Sequence, residues 1–200
     1  IESVSQTAKI RYDRLGDMHY DVISAFIKSV RGSNPDAAIY WLTLMLNAGE
    51  DPRFISRRLV ILASEDIGLA DRHALPIAMA AAHAVEFIGL PECQLNLAHA
   101  TLYLATAPKS NSATIAIMKA RTDIEKGEIL EVPDHLKDSN YPGAKQLGHG
   151  TGYKYAHDYP EHFVDQSYLP KPKKYYTPSS SGYEAKIAAF LAHLSSLRKK

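Results

Sequence analysis

An all-α fold is what this chain predicts, on three observations. Turn signals recur about every 15 to 20 residues through the first 127, apolar residues fall at helical spacing between them, and the alternation expected of strands is absent. The elements read as helical hairpins. A long irregular, tyrosine-rich segment follows, and one last helix closes the chain.

The opening IESVSQTAKIRYDR resembles the end of a helix entered midway, so residues 1–16 are expected to be a linker and the chain a piece of a longer protein. The helical body is expected over 17–127. Its first full helix begins at Asp17, carries Tyr20, Ile23, Ile27 and Val30 at i, i+3, i+7 and i+10, and ends at Gly32. Two helices follow as a hairpin. Asn34 before Pro35 and Asp51 before Pro52 repeat one start signal, a side chain that accepts from first-turn amides ahead of a proline whose fixed φ suits the first helical position. Gly49 closes the first of the pair. Ile39, Leu42, Met45 and Leu46, widened by Trp41 and Leu44, predict that it is largely buried; Ile55, Leu59 and Leu62 continue the pattern in the second.

Asp71 is expected to cap a fourth helix that runs through an alanine-rich stretch from Leu75 to Gly89. Small residues there let neighbouring backbones approach closely. Pro91 opens a fifth, whose stripe is read as Leu95, Ala98, Leu102 and Ala105, stopped by Pro108. Ser110, Asn111 or Ser112 caps a sixth through Ile115, Met118 and Ile124 to Gly127.

From 128 to 181 helical periodicity vanishes, and eight of the twelve tyrosines lie between Tyr141 and Tyr183. So much large apolar area argues against disorder. The segment predicts an ordered strap with hydrogen-bonded or solvated phenols. Over 182–200 a final helix marks one face with Tyr183, Ile187, Phe190, Leu191, Leu194 and Leu197, a stripe so one-sided that it must dock on something.

Composition narrows the function. Two hundred residues with 46% apolar content suffice for one helical domain. A net charge of +1 makes no whole-chain case for nucleic acid or membrane, although Gln166 to Lys200 holds seven basic residues against Glu184 alone. One cysteine excludes an internal disulfide, and no apolar run reaches the roughly 18 residues of a membrane helix. A cytoplasmic protein is expected.

Chemistry-bearing patterns are few. GHGTGYK, Gly148 to Lys154, lacks phosphate-loop spacing and a strand before it; a tight turn system is the simpler reading. His149, His157, Asp158 and His162 are the best metal cluster and the basis of a metal-dependent hydrolase alternative, without HExxH or CxxC spacing. Cys93 reads as a small buried residue more readily than as a nucleophile. Arg53, Arg57 and Arg58 precede Glu65 and Asp66 along one side of a helix, either facing a partner or phosphate through Arg57 and Arg58, or forming a solvated ion-pair face. KPKKYY interleaves cations with aromatic rings, so Lys171, Lys173, Lys174, Tyr175 and Tyr176 are candidate nucleic-acid contacts, or an ordinary solvated linker. No catalytic or cofactor-binding residue is assigned.

RGSNPDAAIYWL, AGEDPRFISRRLVILASEDIGLAD, APKSNSA, YPGAKQLGHGTGYKYAHDYP and QSYLP together resemble the C-terminal region of the RarA/MgsA family of AAA+ ATPases, to which the Werner-helicase-interacting ATPases are related. The resemblance spans roughly Arg11 to Tyr183. It implies a helical, clamp-loader-collar-like oligomerisation domain, with 1–16 the end of the lid from an ATPase core whose Walker motifs, ATP and Mg lie outside this sequence. It further implies a homotetramer, a bacterial nucleoid-associated setting, and DNA and single-stranded-DNA-binding protein as partners of the whole protein, in fork maintenance, recombination and repair. A separate expectation, a nucleic-acid-binding module built on the basic and aromatic end, comes from the residues themselves.

Overall fold

Helix caps and turn glycines set the element order. The structure, a computed structural model, describes residues 16–198; the expected linker before Gly16 and the tail residues Lys199 and Lys200 lie outside the described residues. Among the described residues there are seven α-helices: α1 Gly16–Arg31, α2 Pro35–Asn47, α3 Pro52–Leu62, α4 Ala74–Ile88, α5 Cys93–Thr106, α6 Ser112–Glu125 and α7 Glu184–Leu197. The start signals act as expected. Asn34 Oδ1 accepts from Ala37 N at 3.0 Å, Asp51 Oδ1 accepts from Arg53 N at 2.8 Å, and Gly49 turns the chain at φ +87°. Beyond Leu62, α3 widens into a π-turn, Ala63–Ile67, and a 3₁₀ turn, Gly68–Ala70.

The chain divides into two compact units, one of residues 16–114 with 179–185, the other of 115–178 with 186–198. In the first, α4 packs on α5, α1 on α2 and α3 on α4, while α5 also meets α1, α2 and α3. That central position explains its composition. Cys93, Leu97, Ala100, Thr101, Leu104 and Ala105 are all buried, and Ala74, Ala78 and Ala81 of α4 let the two axes approach closely.

The face expected for α5 needs correction: Leu95 is 70% exposed and Leu102 lies outward as well, whereas Leu97 and Leu104 fill the core. Both stripes are apolar at seven-residue spacing, and a helix ringed by neighbours loses the one-sided pattern that tells them apart. Helix α2 is corrected more gently. It buries Ala38, Leu42 and Met45 and half-buries Ile39, Trp41, Leu44 and Leu46, but turns Tyr40 to solvent. The fourth helix is capped two residues later than expected, because His73 occupies the cap position. Asp71 instead accepts from His73 N at 2.9 Å and from the Tyr103 hydroxyl at 2.6 Å, clamping the approach to α4 onto α5. That carboxylate raises the Tyr103 phenol to about 12.

In the second unit, residues 128–178 hold only short 3₁₀ turns: Asp134–Leu136, Ala144–Leu147, Ala156–Asp158 and Pro160–His162. Side chains and glycines order the segment. Gly148, Gly150 and Gly152 all take positive φ, Gly150 N donates to Asp134 O at 2.8 Å, and a Cβ on Gly150 would lie 2.8 Å from that of Ser139. The glycine-rich stretch is thus a turn system. Gln166 brackets the Lys154 backbone at both N–H and carbonyl, and the Tyr141 hydroxyl meets His149 Nδ1 at 2.7 Å.

These core positions predict an asymmetry: Leu97→Ala should cost about 2–5 kcal/mol in denaturant unfolding, whereas Tyr40→Ala should stay within about 0.5 kcal/mol.

Candidate functional site

Glu184, the first residue of α7, is fully buried. A buried carboxylate without hydrogen bonds costs several kcal/mol, so its surroundings must supply donors. They come from three serines. Ser110 Oγ donates at 2.6 Å, Ser179 donates through Oγ at 2.6 Å and through its amide at 2.9 Å, and the Ser112 hydroxyl donates to the other oxygen. Burial opposes the charge, and these donors more than offset it, holding the carboxyl at about 2. The preceding turn is tight: Tyr183 N donates to Ala70 O at 2.8 Å, and Gly182 has φ +52° with room for no Cβ, which would lie 2.2 Å from Ala70 O. Arg72 stacks 4.2 Å above the Tyr183 ring. In the sequence Glu184 stands out only as the single acidic residue of a basic segment; serines near the starts of α6 and α7 are the available signal.

A second polar centre joins the Arg31, Glu65–Asp66 and Lys109 segments. Arg31 Nε donates to Asp66 at 2.6 Å and its Nη2 lies 3.3 Å from Glu65. The i+7 spacing from Arg58 to Glu65 therefore does not form an ion pair; the π-turn rotates both acids toward α1. Arg57 is exposed, and Arg58 is half-buried with Nε unpartnered among the described residues. Lys109 donates to Ala105 O, Ala107 O and Ser33 Oγ at 3.1, 2.6 and 3.0 Å, satisfying the carbonyl end of α5. Burial lowers its pKa, against the pull of Asp66.

In the second unit the basic-aromatic segment meets α6. Lys173 donates to Asp123 at 3.0 Å and to Glu128, and the Tyr175 hydroxyl donates to Asp123 at 3.0 Å. These carboxylates raise the Lys173 pKa and neutralise a charge that sequence reading offered to phosphate. Asp123, Lys173 and Tyr175, with Ile115, Met118, Lys119 and Lys174, line an open cavity of about 490 Å³. Lys171 and Lys174 are exposed, and Tyr176 is half-buried. The structure thus brings Lys173, Lys174 and Tyr175 to one place and leaves Arg57 and Arg58 elsewhere on α3.

The remaining candidates do not converge. Among the described residues no three His, Cys, Asp or Glu side chains are arranged to hold a metal ion. His157 stacks against His162 at 4.9 Å, and buried Cys93 has its thiol pKa raised by desolvation. Apolar side chains supply the larger surface features. Phe87 is 92% exposed, and Ile117, Met118 and Ile124 of α6 all face solvent.

Comparison with known proteins fits this helical architecture. Residues 32–195 match the family described as MgsA AAA+ ATPase C terminal, and residues 1–31 match an AAA C-terminal domain. The chain belongs to the MgsA C-terminal family. It is the C-terminal helical region of an AAA+ ATPase and not the catalytic core. It is 55% identical to an uncharacterized AAA domain-containing protein of Mycobacterium tuberculosis over 100% of this chain and 45% of that protein. Replication-associated recombination protein A of Bacillus subtilis is 47% identical over 90% of this chain and 44% of its own length. The ATPase WRNIP1 of Dictyostelium discoideum is 45% identical over 86% of this chain and 20% of its own length. The chain therefore spans less than half of these relatives.

The serine-held carboxylate carries a pH signature. Its pKa falls from an ordinary 4.5 to about 2 on folding, so its contribution is complete above about 4.5 and is lost as pH falls through about 2. Glu184→Gln should remove about 2 kcal/mol at pH 7 and flatten the acid limb of stability between those values, as followed by urea unfolding across pH.

Proposed function

We propose that this chain is the self-association module, a tetramer, of an AAA+ ATPase that maintains replication forks and serves recombination and repair. The observation that carries the reading is the apolar surface left outward: Phe87, Leu95, Ile117, Ile124 and Ile129 are each more than 60% exposed. Single exposed apolar residues are ordinary, but Phe87 and Leu95 in the first unit, and Ile117 and Ile124 seven residues apart on α6 in the second, leave more than isolated side chains outward. An obligate interface buries more than about 2,000 Å² and resembles a core cut in half. A formal charge of +1 puts little repulsion between copies. In this reading residues 17–127 are the assembling body, 128–181 the strap and 182–200 the returning helix. The names of the relatives supply the replication and recombination setting, with DNA and single-stranded-DNA-binding protein engaged by the full-length protein. Among the described residues no helix is long and apolar enough to cross a membrane, in keeping with a cytoplasmic, nucleoid-associated role.

A second, compatible reading rests on the cavity beside α6: Lys119, Lys174 and Tyr175 line it, so a single-stranded nucleic acid is a candidate occupant.

Two measurements test these readings. Light scattering at micromolar concentration should return four times the 22.1 kDa chain mass, and a clean monomer overturns the assembly role. Single-strand binding should weaken steeply between 50 and 200 mM salt, with Lys119→Glu and Lys174→Glu each reducing the log–log salt slope by about 0.7; undetectable binding at 50 mM salt removes the second reading.

A further inference from the structure

The α4–α5 hairpin carries three outward features. The first is an apolar ridge at the joint between the helices. Phe87 and Ile88 end α4, Leu90 follows, and Leu95 stands on the first turn of α5, all with their side chains outward. The second is a groove of about 170 Å³ between the two helices, lined by Ile77, Ala80, Ala81, Asn96, His99 and Ala100. Ala80 precedes Phe87 by two helical turns, so ridge and groove stand about 10 Å apart along the same helix. The third is polarity of charge. Exposed Arg72 and His73 lead into α4, and exposed Glu86 and Glu92 stand at its far end. Arg72 also lies over Tyr183, and Glu86 is already paired with Arg53 at 2.9 Å, so the charge contrast along α4 is carried by Arg72 at its lead and Glu92 beyond its far end.

A surface holding both a knob and a matching groove is self-complementary under a two-fold axis, the commonest symmetry of homo-oligomers. Charge then selects the direction. Two α4 helices laid parallel would put Arg72 over Arg72 and Glu92 over Glu92. Antiparallel, the basic lead of each faces the acidic end of the other, and the helix dipoles oppose as well. The alanines of the groove permit close approach, and the small formal charge of the whole chain leaves the local pattern to decide.

We propose that two copies of this chain pair antiparallel across their α4–α5 hairpins, the Phe87 ring of each seating in the Ala80–Ala100 groove of the other. This rests on the self-association reading above and names the surface that serves it. A tetramer then arises from this pair by one further contact elsewhere on the chain.

The test is a light-scattering dilution series on the 200-residue chain and its variants, with far-UV circular dichroism as the fold check. Phe87 is nearly fully exposed, so Phe87→Asp should leave helicity unchanged and weaken pairing by roughly 30-fold or more, as expected of a central aromatic anchor. Glu92→Lys should weaken pairing by several-fold, and His73→Glu combined with Glu92→Lys should restore it, an outcome that does not depend on how Phe87→Asp folds. An assembling wild-type chain whose mass is untouched by Phe87→Asp, or a charge pair that fails to rescue, overturns this surface while leaving self-association standing. A monomeric wild-type chain overturns both.

Discussion

A buried carboxylate held by serine hydroxyls fixes the starts of two helices. Glu184 and Ser112 are the first residues of α7 and α6, and each is the buried member of its helix. Neither helix begins in apolar packing. What gathers residues 110–112, 179 and 184 is instead a set of short hydrogen bonds from neutral donors to one buried charge. Such an arrangement is all-or-nothing: a missing donor leaves an ion in a dry place, whereas a full set makes the site directional in a way that grease cannot. The two turns that feed it are correspondingly constrained, one by the Ser110 amide on Asp66 O and the other by the Tyr183 amide on Ala70 O.

Local chemistry was legible in the residues, and long-range geometry was not. Asn34, Asp51, Gly49 and Gly89 punctuate helices from within a few residues, because caps and positive-φ turns depend on neighbours in sequence. The stripe of α1 was readable only in part: Ile23 and Val30 are buried and Ile27 half-buried, but Tyr20 is 73% exposed, and Val22 and Phe26 fill the core in its place. The choice between Leu95 and Leu97 was not readable, since both stripes of α5 are apolar and only its four neighbours decide. Ion pairs failed for a related reason. Arg58 and Glu65 share a helical side on an ideal helix, but the π-turn at 63–67 changes the phase, and Arg31, more than thirty residues away, takes both acids. Likewise a count of lysines near the C-terminus cannot reveal that Asp123 and Glu128 already hold Lys173.

This region lies outside the catalytic core of its AAA+ ATPase. Several groups with displaced pKa values, among them Glu184, Lys109, Asp71 with Tyr103, and Lys173, are bonded within turns or at helix ends. Perturbed groups often mark active sites, yet hydrogen bonds account for the directions at Glu184, Tyr103 and Lys173, and burial for those at Lys109 and Cys93. Apolar side chains, in contrast, are left outward on α4, α5 and α6.

The turn at Gly182 shows how a position can be indispensable without taking part in anything. Its backbone passes so near Ala70 O and the Pro108 ring that hydrogen alone has clearance there. A saturation-mutagenesis map would mark it as strongly as a nucleophile, every other amino acid being rejected. Intolerance of that kind measures headroom, and in a chain with few reactive groups it would be the easiest signal to mistake for an active centre.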